Sequence, residues 1–270
     1  MNRRRLQGIL LYAGTALAAF LALFPPIWAT LSSFTPSNRV GGELDLGHWT
    51  LDNYAAVAGQ RDFWASLAHS AIVSVGTTAV AIFLGILAAF GLTRFRSRFR
   101  RIAFTILAVR MVPGIVLVLP FYLLYRNLGL LDTLHGLGLT YLTFALPFCI
   151  WMISGFFESI PFEVEEAAAL DGASNWTILW RILVPIAAPA ILTTAVLTFI
   201  FCWNDFLFAL ILTSQDALTF LPLLLRYVLP QGPLYGQIFA GATIFLIPPL
   251  IGLILIRRHL STAFGLGAVK

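Results

Sequence analysis

The chain has 270 residues, of which 59% are hydrophobic and 11% charged, and a net charge of +5. Soluble domains carry about 25% charged residues, and a chain of this size cannot shield so much apolar surface from water in one core. Disorder requires the opposite composition, and 21 Gly with 2 Cys exclude collagen-like and disulfide-stapled chains. An integral membrane protein remains.

A membrane-spanning helix takes about 20 mainly apolar residues. Six stretches meet that length: Gly8–Leu31, Ser70–Leu92, Ile102–Tyr125, Leu137–Phe157, Leu183–Leu212 and Gln237–Ile256. Hydrocarbon obliges each segment to satisfy its own backbone polar groups, so helices are expected. The runs lack the alternation of outer-membrane strands. Arg3–Arg5 precede an apolar run too long for a secretory signal, which implies an uncleaved first span.

The basic residues test the orientation. With the N-terminus inside, Arg3–Arg5, Arg94, Arg96, Arg98, Arg100, Arg101, Arg181, Arg257, Arg258 and Lys270 fall in cytoplasmic segments. Arg39, Arg61, Arg126 and Arg226 fall outside, and Arg110 lies within a span. This excess on one side predicts six spans with both ends in the cytoplasm. It also gives the net charge a topological role in place of nucleic-acid binding. Residues 1–69 are expected to form the tail, first helix and external segment, and residues 70–270 a five-helix core.

The cytoplasmic loop at residues 158–185 breaks the pattern, with five acids against Arg181 alone. Ser159 is expected to cap a helix with Pro161 in its first turn. Glu163, Glu165 and Glu166 suit the positive end of the helix dipole, and Ala167–Ala169 favour helix. Gly172 is placed to end it. Ser174 should cap a second helix running towards Arg181, with Pro185 marking the start of span five. Ordinary capping explains the acids; it does not explain so small-sided a helix in the largest cytoplasmic loop, where a docking helix is the sharper reading.

Glu166-Ala167-Ala168, three residues, Gly172, nine residues, Ile182, one residue, Val184-Pro185 resembles the EAA signature of ABC importer permeases. Val184 stands for the usual Leu, and Leu179 where many relatives carry Phe. Asp52-Asn53-Tyr54, Ala88–Phe95, Arg110-Met111-Val112-Pro113, Trp203-Asn204-Asp205-Phe206 and the tail Gly267–Lys270 are similar to the carbohydrate, maltose-type branch. His69-Ser70 sits where relatives often have Asn-Ser.

The resemblance implies a cytoplasmic-membrane permease of a bacterium or archaeon, all-α, with an EAA coupling helix between spans four and five. It implies four kinds of partner: a second permease subunit, a homodimeric ATPase that binds ATP and Mg, an extracytoplasmic solute-binding protein, and membrane lipid. Glu166, Ala167, Ala168, Asp171, Gly172, Ile182 and Pro185 would form the ATPase-coupling element. A related alternative is a polyol or glycerol phosphate importer; from another class, a self-sufficient secondary transporter or channel.

Lys270 is the sole lysine, so the chain has no P-loop and hydrolysis must come from a partner. No catalytic cluster is present for a membrane enzyme, and no His or Cys spacing suggests a metal. Arg110 and Asp205 are the formal charges inside the expected spans. Three readings stand: an Arg110–Asp205 pair; a sugar path built from Trp203, Asn204 and Asp205; or Arg110 reaching to the inner interface. Trp176 and Trp180, four apart, are read as packing in preference to ATPase or bilayer contact. Pro25-Pro26, Pro113 and Pro248-Pro249 should kink their helices.

Overall fold

A computed structural model describes residues 3–36, 48–94, 112–230 and 232–265, with side chains from residues 11 to 257. The chain is mostly helical. In order come α1 (Arg3–Ser32), α2 (Asp52–Ala58), α3 (Arg61–Arg94), α4 (Gly114–Leu128), α5 (Leu134–Ser159) and α6 (Glu163–Leu170). There follow α7 (Asn175–Trp203), α8 (Leu207–Leu212), α9 (Phe220–Leu224), and a two-residue hairpin of β1 (Val228–Leu229) and β2 (Gly232–Pro233). α10 (Tyr235–Gly265) closes the order.

Among the described residues, α1, α3, α5, α7 and α10 are long and apolar enough to cross a membrane. The expected third span lies in part on residues 95–111, outside the described set; its described part is the 15-residue α4. Pro113 does not kink a helix. It stands at the N-cap of α4, with ψ 126°, where its missing N–H costs nothing.

Two compact units are present, one of residues 1–64 with 223–247, the other of residues 65–222 with 248–270. In the first, Asn53 is the organising residue. Its buried amide donates to the carbonyls of Ser33 and Thr35, each at 2.8 Å. The Tyr54 hydroxyl lies 2.6 Å from Ser33 Oγ, and Phe34 stacks on Trp49 at 5.6 Å. These bonds fix the chain as it leaves α1. Near the hairpin, Arg226 pairs with Asp62 at 2.7 Å and the Tyr227 hydroxyl donates to Gln60 at 3.1 Å. Burial, and then the Asp62 charge, push the Tyr227 phenol up.

The second unit is built on α5 against α7, with α3 beside them. Leu137, Tyr141, Ala145, Cys149, Ile153 and Phe157 of α5 meet Ile178, Leu179, Leu183 and Ala187 of α7 in a continuous apolar core. Cys149 Sγ sits 3.2 Å from Thr198 Oγ1. α3 approaches α5 closely at Gly85, where a Cβ would stand 2.9 Å from Cys149 Cβ. Hydroxyls inside α7 bond to their own helix: Thr193 to Pro189 and Thr194 to Ala190, both at 2.9 Å. That removes their cost in an apolar setting.

Two expectations about the fifth span need correction. The second loop helix and the span are one helix, α7, which passes through a π-helical turn at Leu179–Leu183. Pro185 lacks an N–H and its ring crowds the carbonyl four residues back, and widening the turn before it relieves that conflict. The span also stops early. It ends at Trp203 and not at Leu212, and the chain resumes as α8 after Asn204–Phe206. Asn and Asp compete for backbone groups with their short polar side chains and favour helix ends. Hydropathy runs on across the break because Phe206–Leu212 are apolar.

Candidate functional site: the EAA module and the broken fifth helix

The loop of residues 158–185 folds as helix, tight turn, helix. Ser159 does not cap α6. It is the last residue of α5, and its hydroxyl donates backwards to Phe156 O at 2.7 Å. Phe162 occupies the N-cap with no side-chain bond. The three acids Glu163, Glu165 and Glu166 do fill the first turn. At the other end Gly172 has φ 84°. Its N–H donates to Ala169 O and that of Ala173 to Ala168 O, both at 3.0 Å. This double bond pattern around a left-handed glycine is a Schellman turn. Ser174 then caps α7, accepting from the N–H of Thr177 at 3.3 Å.

The module divides its motif between two faces. Ala168 is buried with Glu165; Glu166, Ala167, Asp171 and Gly172 are exposed. Leu170 is 89% exposed and Trp176 62%, a large apolar presentation on a charged turn. Ile182 is half-buried against the core and Pro185 is exposed on the following helix. Trp180 stacks on Phe83 at 6.1 Å and meets Trp176 edge-on at 5.6 Å. Packing therefore holds for Trp180, while Trp176 faces outward.

Trp203, Asn204 and Asp205 fall at the break in the fifth span and diverge there. Trp203 is 3% exposed and lies on Phe199 at 5.3 Å. Asn204 is exposed, its amide donating to Ile200 O at 2.9 Å. The Asp205 carboxylate accepts from the N–H of Ala209 at 3.2 Å and so braces the first turn of α8. Arg110 lies outside the described residues.

Three contributors escaped sequence reasoning. Asp132, with φ 54°, accepts from the N–H groups of Ser214, Gln215, Asp216 and Ala217 and from the Ser214 hydroxyl, at 2.8–3.2 Å. Its own N–H donates to Leu212 O at 2.8 Å. Partial burial pushes this carboxyl up, but the backbone amides and hydroxyl outweigh it and hold it well below the usual carboxylate range. His69 Nδ1 lies 3.0 Å from Leu218 O, and Ser70 Oγ accepts from Phe220 N at 2.9 Å. Arg94 forms an ion pair with Glu165. The His69-Ser70 pair and Arg94 had been read for resemblance and topology only; nothing local marks Asp132. Among the described residues no cluster of three or more His, Cys, Asp or Glu is placed for a metal.

Long apolar helices with a polar helix–turn–helix between two of them are the features of a multi-pass membrane protein. Residues 81–264 match the family described as binding-protein-dependent transport system inner membrane component, and the chain belongs to that family. It is a multi-pass inner-membrane protein and the permease component, not the ATPase. It is 36% identical to the trehalose transport permease SugB of Mycobacterium tuberculosis, over 92% of this chain and 93% of that one. It is 32% identical to the trehalose/maltose permease MalG of Thermococcus litoralis, over 100% and 99%. A solved bacterial ABC transporter for import of the acidic polysaccharide alginate has a chain with TM-score 0.77 and 25% identity, covering 96% of this chain and 98% of that one.

Proposed function

We propose that this chain is a six-span permease subunit, both ends cytoplasmic, of an ATP-driven importer for a sugar or oligosaccharide. It works with a second permease, a homodimeric ATPase and an extracytoplasmic binding protein. The observation that carries this is the α6–Gly172–α7 module, which leaves Glu166, Ala167 and Leu170 exposed beside a hydrogen-bonded turn. Small side chains at Ala167 and Ala169 let a partner's surface approach. The trehalose and trehalose/maltose transport of the relatives supports the solute class.

In this reading, ATP binding closes the ATPase pair and displaces α6. The path between the two permeases then alternates between inward- and outward-facing states, a two-state element biased by a ligand. At the break between α7 and α8, the exposed Asn204 would meet a hydroxylated ring in this reading, and Asp205 keeps α8 in place. Purification in mild detergent with mass spectrometry should recover one further permease and one P-loop ATPase species. Reconstitution with these should give ATP-dependent uptake of labelled trehalose or maltose. Recovery of this chain alone, transporting in liposomes without ATP, overturns the proposal.

A further inference from the structure

Arg94, the last residue of α3, meets Glu165 of α6 in an ion pair whose side chains are 15% and 7% exposed. Glu163 and Glu166, its acidic neighbours in the same turn, are exposed. Plain capping would leave Glu165 as solvated as they are. Glu165 and Ala168 are three apart, so they share one face of α6, and they are the residues buried there. α6 therefore has a gripping face and a presenting face. An enclosed charge is costly without its partner, so α6 and the end of α3 are held together.

α3 has 34 residues, about 50 Å at 1.5 Å per residue. Further back along α3, His69 and Ser70 hold Leu218 and Phe220. One rod thus grips the docking helix at one end and residues 218–220 towards the other. We propose that the Arg94–Glu165 pair is the positioning link through which α6 moves α3, delivering docking-helix displacement to residues 213–220. The proposal rests on the docking reading above. Arg94 and Glu165 act through α3 and are positioning residues, since neither is exposed for a partner.

The test uses the purified complex in proteoliposomes, with Asp216→Cys as reporter; Asp216 is exposed, whereas Cys149 and Cys202 are buried. Maleimide labelling of the reporter is compared with and without ATP and vanadate. With the native pair, nucleotide should change the labelling rate at least threefold. Arg94→Gln with Glu165→Gln removes both charges and leaves none stranded, so membrane abundance and ATPase co-purification should persist. In that double variant the nucleotide response should vanish and uptake per ATP fall at least tenfold. Glu165→Asp, which keeps the charge with a shorter reach, should assemble normally and give an intermediate response. A native response in the double variant, or in Glu165→Asp should the double variant not assemble, overturns the proposal. Failure of any ATPase to co-purify with the native chain would instead strike the docking reading.

Discussion

Replacing Asp132 by Asn is the most discriminating perturbation of the second unit. Asn tolerates the left-handed conformation as Asp does, so φ 54° adds no new strain and the carboxylate alone is changed. One oxygen of the native group serves Ser214 N and Ala217 N, the other Ser214 Oγ and Asp216 N, and the two share Gln215 N. Asn keeps one acceptor and turns an N–H₂ towards the donors of the other. Bonds to a charged group contribute about 1.5–3 kcal/mol each. The turn is partly solvated, so water offsets much of the loss, leaving a net cost of about 2–3 kcal/mol. That corresponds to a melting shift of about 5–10 °C for a chain of this size. Thermal unfolding in detergent reads the shift, and limited proteolysis should locate new cleavage at residues 213–217. An unchanged melting temperature with the turn still protected would refute the assignment. The pH sign follows. The folded pKa is depressed, so the stabilisation is complete above the unfolded value of about 3.9 and is lost as pH falls below about 4 towards the folded pKa. The acid loss should be smaller in the Asn variant than in the native chain by the Asp132 share, the other bonded carboxylates being unchanged.

Other outcomes follow from the same contacts. Gly172→Asp meets no atom within 4 Å of its Cβ; insertion should persist and ATP-dependent uptake be abolished, and normal uptake would count against docking. Gly172→Val adds about 1–2 kcal/mol of left-handed strain, readable as faster proteolysis between α6 and α7. His69→Asn retains an N–H donor for Leu218 O and should leave stability near native, whereas His69→Leu should cost about 1 kcal/mol in detergent unfolding. Gly85→Ala forces α3 from α5 and should cost about 1–3 kcal/mol; because the clash is with the Cβ of Cys149, adding Cys149→Gly should recover part of it, and no recovery would disprove close packing there.

Composition and hydropathy alone placed the protein in a membrane and located the long apolar helices, although α3 begins at Arg61 and not Ser70, and α10 runs to Gly265 and not Ile256. They did so because lipid leaves a spanning segment few other structures. The end of α6 was also legible: Gly172 stops the helix where its spacing said, since a glycine after a helical run readily takes the left-handed conformation. Ser159 misled because a serine hydroxyl serves the carbonyls behind it as readily as the amides ahead. The break at Asn204–Phe206 was hidden by the apolar residues after it, which carry the hydropathy signal without the helix. Arg94 was counted as a topological charge, yet its partner is 71 positions along the chain, and Asp132 binds residues more than 80 positions away. Such pairings have no local signature in a single sequence.

The Asp132 latch also bears on the order in which the subunit is made. Its partners at residues 214–217 follow 82–85 positions later, so a chain emerging from its N-terminus carries an unanswered carboxylate throughout synthesis of α5, α6 and α7. Only when α8 has formed and the following turn has emerged does that carboxylate find its amides. Closure of the turn therefore marks completion of α5 to α8 between them, and a subunit stalled before it would carry an open, protease-sensitive segment at that point.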